Sequence, residues 1–384
     1  MNQPTLLDVF GISLDEITAM QDLAFDKSLG EKANLSRLLT ARRTQDSGAH
    51  IAKQILECRH ILSKVGLYKF MSLMQELNSA KIGQPEWETV LKQIYNEPVA
   101  VRNRVIWLFF HACLQAECDF SLDVCPAHSR EDVLTGRLLE GIKAACTSWA
   151  EASSSYLSRV QNVLGVSSID LTIDGGEQKT GGDFALILDI EESVSCDADL
   201  EPEVIALTGR PRGDVFVPLL FQAKCYTGSR ADISQKNSVR GYQFNQLRQA
   251  NCASSYIFYE NGKSRIDFPA LPMVKSTSAC KPIEVSRSTE VFDQSIDFAT
   301  YILRAANGFE SIPAAKTRED ALNMILANTS PDALSRITIL GNTNNLDRTY
   351  REALRQLRKE IDNEVDRESG DDIPDDMPSS RFEP

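Results

Sequence analysis

Several patterns that identify common enzyme classes are missing from this sequence. There is no GxxxxGK[ST] loop, so we expect no nucleotide-driven motor, and there is no GxSxG elbow of the serine hydrolases. The four histidines, His50, His60, His111 and His128, all precede the strand-rich part of the chain. Histidine-based hydrolysis and zinc proteolysis are therefore not expected in the central region.

Long apolar runs and cysteine pairs are missing as well. No run approaches the ~20 apolar residues of a membrane helix, and the first residues lack the basic and then apolar pattern of a secretion signal. The nine cysteines are odd in number and contain no CxxC pair, which argues against a disulfide framework. We therefore expect a cytoplasmic protein that has no membrane partner.

The net charge of −13 is concentrated at one end of the chain. Residues 360–384 hold ten acidic residues against two arginines, which leaves a net charge of −5 for the other 359 residues. Acidity that is confined to a tail does not prevent the rest of the chain from binding a nucleic acid. The tail also has few apolar residues to bury, and we expect it to be disordered.

Apolar periodicity and composition divide the chain into four regions. Residues 1–125 carry apolar residues at steps of three and four, which predicts a helical accessory or regulatory region. Residues 126–275 combine helices with strands, and residues 276–359 predict a helical C-terminal region before the acidic tail, residues 360–384. The expected fold class is α/β, with a central mixed sheet that is flanked by helices.

The central region has a clear order of predicted elements. A helix in SREDVLTGRLLEGIKAACTSW is followed by strands in SSIDLTI, FALILDI and VFVPLLF, then by a helix around GYQFNQLRQA and a strand in SYIFY. An acidic insertion, residues 191–214, separates the second strand from the third. Further helices are predicted in STEVFDQSIDFATYILRAAN, in LDRTYREALRQLRKEIDNEV and in TREDALNMILAN, which has a capping pattern at Thr317 and Asp320.

Three polar residues interrupt the apolar strands of this region. Asp183 follows two glycines at the mouth of one strand. Gln222 and Lys224 end another strand two residues apart, which places them on one face with Ala223 on the other. Carboxylate and amide oxygens suit Mg²⁺, and a lysine can position water and offset charge on a phosphate. The combination predicts a site for phosphodiester hydrolysis, with glycines that let a substrate approach the backbone closely.

A basic stretch follows this predicted site. Residues 224–248 hold five cations and a single acid, Asp232, so the stretch is a candidate surface for nucleic-acid phosphates, although such runs are more often solvated surface. At Gln243 a helix that faces a groove and a solvated helix look alike in sequence. The candidate substrate-binding residues are Arg230, Lys236, Arg240, Gln243 and Arg248.

These motifs resemble the PD-(D/E)XK superfamily of restriction-endonuclease-like nucleases, and the QAK phrase is similar to its Mrr-like branch. A pattern of GGDF, QAK, QxxxL and YxFY also resembles an uncharacterised bacterial family. The resemblance covers about residues 129–262. It implies that Asp183 and Gln222 hold Mg²⁺ or Mn²⁺ and that Lys224 positions water. It also implies a supporting glutamate from the first helix, Glu131, with Glu140 as the alternative.

The resemblance implies a metal-dependent endonuclease that hydrolyses DNA in bacterial restriction or anti-phage defence. Many such nucleases cut both strands as dimers, which favours a homodimer, and the N-terminal helices are the expected contact for a protein partner or trigger. Two other interpretations stay open, a catalytically degenerate scaffold or binding protein and a ribonuclease. If Asp189 or Asp214 were the metal ligand instead of Asp183, the assignment of the motif would shift.

Overall fold

The computed structural model describes most of the chain from Arg104 onwards. The described residues are 104–152, 154, 157, 163–170, 182–191, 215–237, 241–261, 269–306, 312–326, 334 and 336–370. Most of the predicted accessory region, nearly all of the 191–214 insertion and the end of the acidic tail lie outside them. Among the helices within these ranges, none has the length and apolar character that crossing a membrane requires.

The elements are numbered here in chain order. The described α-helices are α1 (Arg104–Asp119), α2 (Glu131–Ala152), α3 (Gln243–Arg248), α4 (Phe298–Ala306), α5 (Arg318–Leu326) and α6 (Leu346–Gly370). A π-helical turn (Phe120–Val124) follows α1, and a 3₁₀ turn (Thr277–Ala279) follows β8. The described strands are β1 (Gly165–Asp170), β2 (Phe184–Ile190), β3 (Val215–Tyr226), β4 (Arg230–Asp232), β5 (Lys236–Asn237), β6 (Gly241–Tyr242), β7 (Ala253–Glu260), β8 (Met273–Ser276), β9 (Ser288–Glu290), β10 (Ile296–Asp297) and β11 (Arg336–Gly341).

Seven of these strands form one mixed sheet in the order β1-β11-β2-β3-β7-β8-β10. The strands β2 and β3 are antiparallel, and β3 and β7 are parallel. The strand β11 comes from the predicted helical C-terminal region, yet it lies between β1 and β2, antiparallel to the first and parallel to the second. The mixed sheet and its helices confirm the predicted α/β class.

Helices cover both faces of the sheet. One apolar core joins α1, α2 and α4 to one face, and a second core joins α3, α5 and α6 to the other. All seven residues of β2 are buried, and its six apolar residues divide alternately between the two cores. Since both faces of this strand are covered, its sequence is a continuous apolar run rather than an alternating one.

The predicted elements of the central region agree with the structure, and the C-terminal region differs. The strand β2 has the predicted bounds, and β3 extends past VFVPLLF to Tyr226. Only the end of STEVFDQSIDFATYILRAAN is helical, because β9 pairs with β4 and β10 pairs with β8 ahead of α4. The predicted cap of α5 is confirmed, since the Asp320 NH donates to Thr317 Oγ1 at 3.0 Å. Helix α6 continues to Gly370, past the predicted start of the tail.

Candidate active site

Asp183 lies where β2 begins, beside the C-terminal half of β3. Its backbone NH donates to the Phe221 carbonyl at 2.8 Å, which continues the pairing of the two strands by one residue. Its Oδ2 accepts from Gln222 Nε2 at 2.6 Å and from the Ala223 NH at 2.8 Å. The strand pairing thus brings the predicted carboxylate and amide into direct contact across 39 residues of sequence.

Gly182 precedes Asp183 at a point where β3 leaves no room for a side chain. A Cβ at Gly182 would lie 2.5 Å from Leu220 Cδ1 and 3.3 Å from the Phe221 oxygen. Carbon atoms pack at about 3.5–4.0 Å, so a larger residue would push β2 and β3 apart. The sequence suggests that the glycines admit a substrate. At Gly182 the structure gives strand packing as the reason, and Gly181 lies outside the described residues.

Lys224 is buried close to the end of β3, with acceptors from two other elements. Its Nζ donates to Glu131 Oε1 at 3.0 Å and to Gln235 Oε1 at 2.9 Å. The side chain of Lys224 is 8% exposed and that of Glu131 is 32% exposed, so the ion pair lies at the edge of the core. Partial burial of this kind weakens solvent screening and makes the pair more effective than one on the surface.

Glu131, the first residue of α2, is the helix carboxylate that reaches the site. Besides its bond to Lys224, its Oε2 accepts from the Cys225 NH at 2.9 Å, so one carboxylate holds two successive residues of β3. Glu140, the alternative from the sequence, is exposed further along the same helix. The structure therefore brings Glu131, and not Glu140, to Lys224.

The carboxyl group of Asp183 is shifted towards its protonated form. Burial is the main reason that the pKa of Asp183 is raised from 3.8 to about 6, and the charge of Glu131 acts in the same direction. The Lys224 charge and the hydrogen bonds from Ala223 and Gln222 act in the opposite direction. Burial dominates because the neighbouring donors are mostly neutral and only partly replace the lost hydration. The carboxylate would gain from an additional cation.

Oxygen atoms at this site fit a magnesium ion better than they fit zinc. Gln222 is 1% exposed, and its Oε1 has no hydrogen-bond partner among the described atoms, which is costly for a buried amide oxygen. Within the described ranges no cluster of three His, Cys, Asp or Glu side chains is placed to hold a metal. Mg²⁺ needs few protein ligands because it keeps several waters. Asp183 and Gln222 are the residues that would hold it.

The candidate substrate-binding residues have different environments. Arg230 is exposed, but its Nη1 donates to Glu290 Oε1 at 2.8 Å and its Nε and Nη2 donate to Ser288 Oγ at 3.2 and 2.9 Å. This arginine is therefore engaged within the β4–β9 pair and offers less charge to a phosphate than the sequence suggests. Arg240 lies outside the described residues.

The charged groups of Lys236 and Arg248 are exposed at the surface. Lys236 Nζ lies 5.7 Å from the centroid of the Tyr242 ring, and Arg248 Cζ lies 5.7 Å from the centroid of the Phe244 ring. Both cations are exposed beside an aromatic ring, a geometry that orders the side chain without neutralising it. Gln243 begins α3, and its Oε1 is buried with no partner among the described residues.

Asn261 supports this site, although no pattern in the sequence predicts such a role for it. Its Nδ2 donates to the carbonyls of Cys125 and Ala127, and its Oδ1 accepts from the Ser129 NH at 3.1 Å. These bonds fix the loop that leads into α2 and so help to place Glu131. Asn261 directly follows β7, and no local pattern marks it because its partners lie more than 130 residues earlier.

Asp189, the alternative ligand from the sequence, lies at the other end of β2. It is fully buried, and its Oδ2 and Oδ1 accept from Arg318 Nε at 2.6 Å and Nη2 at 3.0 Å. A carboxylate that already holds a guanidinium at both oxygens is a structural ion pair. Asp214 lies outside the described residues.

The comparisons with known proteins give no family for this chain. No family model, no curated protein and no solved structure matches it.

Proposed function

We propose that this protein is a metal-dependent nuclease of the PD-(D/E)XK type, and that its site is formed by Asp183, Gln222, Lys224 and Glu131. The observation that carries the proposal is the meeting of these four side chains at one end of the β2–β3 pair. They come from three separate parts of the chain, and the fold brings half-buried carboxylates, a buried amide and a buried lysine to a place where an apolar core would otherwise continue.

The order of elements supports a restriction-endonuclease-like fold. α2 is followed by β1, the antiparallel β2–β3 pair, α3 and then β7, which is parallel to β3. This order follows the helix, strand, hairpin, helix and strand of the resembling superfamily. The insertion of β11 between β1 and β2 is an addition to that core, because it leaves the β2–β3–β7 arrangement intact.

Each side chain has a distinct role in the proposed reaction. Asp183 and Gln222 would hold the metal ion, which would supply an activated water and offset charge on the phosphate. Lys224 directs an N–H towards the attacking water or a phosphate oxygen. Glu131 accepts a hydrogen bond from the Lys224 ammonium at 3.0 Å, and Gln235 is the second acceptor of that ammonium. Lys236 and Arg248 are exposed cations that attract the phosphate backbone without reading sequence.

The proposed substrate is DNA, and by resemblance the proposed role is bacterial restriction or anti-phage defence. A homodimer and a protein partner for the N-terminal region are part of the same proposal. A ribonuclease is an outcome of the test below, because the four side chains recognise a phosphodiester and not a sugar.

A scaffold that keeps this site without activity is the second candidate. The observation that favours it is that Asp183 Oδ2 accepts two hydrogen bonds from the chain itself and Lys224 is already paired. A polar cluster that is satisfied in this way can stabilise a fold without doing chemistry. Metal binding separates the two candidates, since only the nuclease requires it.

The direct test is cleavage of plasmid, linear DNA and RNA by the purified full chain with Mg²⁺ or Mn²⁺. We expect the parent to cut DNA and the Lys224→Ala variant to lose at least about a hundredfold in rate, as for loss of a transition-state contact. Lys359→Ala, which removes an exposed lysine on α6, is the matched control and should cut like the parent. Equal cutting by Lys224→Ala and the parent would place the active site elsewhere.

Thermal unfolding with added metal decides for or against the scaffold. A working site should raise the melting temperature of the parent with Mn²⁺ or Mg²⁺, because a ligand that binds only the folded state stabilises it. The Asp183→Asn variant should lose most of that response. If the parent shows neither cleavage nor a metal response, the scaffold is the correct interpretation.

A further inference from the structure

The ammonium group of Lys224 is held from two directions. Nζ donates to Glu131 Oε1 at 3.0 Å and to Gln235 Oε1 at 2.9 Å. An ammonium has three N–H donors and rotates freely when a single acceptor holds it. Two acceptors stop that rotation, so the third N–H points in one direction. Across the described part of the chain the structure records no third acceptor for it.

The segment that carries Gln235 is itself anchored on both sides. Upstream, β4 pairs with β9, and the Ile233 NH donates to the Arg287 carbonyl at 2.9 Å. Downstream, the Gln235 carbonyl accepts from the Gln243 NH at 3.0 Å, which ties the segment to the start of α3. Gln235 is exposed, so burial of its side chain contributes little to the fold. Its amide oxygen therefore approaches Lys224 on a fixed backbone.

The chemistry of the two acceptors differs in a way that suits a phosphate site. Glu131 carries a negative charge that attracts the partly buried lysine. Gln235 is neutral, so it accepts a hydrogen bond without repelling an approaching phosphate. A second carboxylate at this position would hold the lysine more strongly, but it would also oppose the substrate.

We propose that Gln235 is a positioning residue that aims the Lys224 ammonium at the reacting water or phosphate oxygen. This inference rests on the proposed nuclease function. Gln235 acts through Lys224 and does not touch the reacting atoms. Glu131 forms the ion pair that holds the lysine, and Gln235 sets its direction.

Steady-state cleavage by Gln235→Ala is the first measurement. We expect kcat to fall about tenfold, the size of a lost hydrogen bond to a charged group, with KM changed by less than about twofold. Gln235→Glu keeps an acceptor for Lys224, so its kcat should be close to that of the parent. Its KM should rise, because the added negative charge opposes the phosphate. Gln356→Ala, an exposed glutamine on α6, is the matched control and should cut like the parent. In a Lys224→Ala background, Gln235→Ala should cause no further loss.

Acetylation of lysines, read by mass spectrometry, tests the same contact without any cleavage. Freed from one acceptor, Lys224 should be acetylated at least about twofold faster in Gln235→Ala, because an amine with one fewer hydrogen bond is more accessible to the reagent. Lys359 serves as the internal reference and should not change. Unchanged Lys224 labelling together with unchanged kcat overturns the positioning role. A parent that neither cuts nor responds to metal overturns the nuclease proposal, and faster Lys224 labelling would then still support Gln235 as the residue that holds this lysine.

Discussion

The two ends of β2 each hold an aspartate, and the chain compensates the two charges differently. At the far end, Asp189 is fully buried and receives both arms of the Arg318 guanidinium, at 2.6 and 3.0 Å. At the near end, Asp183 receives hydrogen bonds from the Gln222 amide and a backbone NH, while the Lys224 ammonium bonds to other acceptors. Neutral donors satisfy the lone pairs of a carboxylate without cancelling its charge.

The Asp189 end of β2 connects several elements of the fold. Arg318, at the start of α5, also forms an ion pair with Glu191, and its Cζ lies 5.3 Å from the centroid of the Phe216 ring. Asn342, just after β11, exchanges two hydrogen bonds of 2.8 Å with the Glu191 backbone. This cluster holds β2, β11 and α5 together. The comparison teaches that Asp189 is compensated by a cation in direct contact, whereas Gln222 and Ala223 give Asp183 hydrogen bonds from neutral groups.

Removal of the guanidinium should have the largest effect on stability. Arg318→Ala leaves Asp189 buried without its partner, and we expect the free energy of unfolding to fall by about 3–5 kcal/mol. Urea denaturation measures this change. Arg348→Ala removes an exposed pair with Glu352 on α6 and should leave the urea midpoint nearly unchanged, because solvent screens this pair. If Asp183→Asn proves as destabilising as Arg318→Ala, the distinction between the two ends is lost.

A methyl group at Gly182 should disturb the near end alone. We expect Gly182→Ala to lower the free energy of unfolding by about 1–3 kcal/mol, because its Cβ meets Leu220 at 2.5 Å. Gly136→Ala in α2 is the matched control, since nothing lies within 4 Å of its Cβ. In a helix this exchange should stabilise the protein by about 0.5–1 kcal/mol. Chemical denaturation of both variants at one pH measures the difference, and equal effects would contradict the packing role of Gly182.

The smallest expected effect is a pH dependence that belongs to Asp183. Its folded-state pKa of about 6 lies above its ordinary value of 3.8, so the folded state favours the protonated form. This contribution is present at low pH and is lost as pH rises through about 6. Between about pH 5 and 7.5 the parent should lose about 1–1.5 kcal/mol relative to Asp183→Asn in metal-free buffer. Parallel pH-dependent curves for the two proteins would show that the Asp183 carboxyl is not shifted.

The elements that the sequence predicted best are those whose pattern of apolar residues directly reflects which faces are buried. β2 has the predicted bounds because both of its faces are covered, and α2 begins at Glu131, near the start of the predicted helical segment. The segment before α4 has helical spacing in sequence but forms β9 and β10 in the structure. Its pairing with β4 and β8 depends on strands that are distant in sequence, and such partners outweigh local propensity.

The candidate site shows the same division. Gln222 and Lys224 follow from the two-residue period of a strand, and Asp183 from its position after two glycines at the start of another. The structure places Asp183 and Gln222 in contact. Gln235 and Asn261 carry no signal, because an isolated glutamine or asparagine in a loop is ordinary. Their importance comes from the atoms they meet, Lys224 Nζ for Gln235 and three backbone groups of the loop before α2 for Asn261.

The sequence by itself determined the α/β class, the strands that hold polar residues at their ends and the helix whose first carboxylate is Glu131. These features are local, since neighbouring residues determine the apolar periodicity and the start of a helix. Only the tertiary structure decided that β11 enters the sheet beside β2, that Asp189 belongs to Arg318 and that Gln235 orients Lys224. Each of these facts is a contact between distant residues, and its free energy depends on burial and geometry that exist only once the chain has folded.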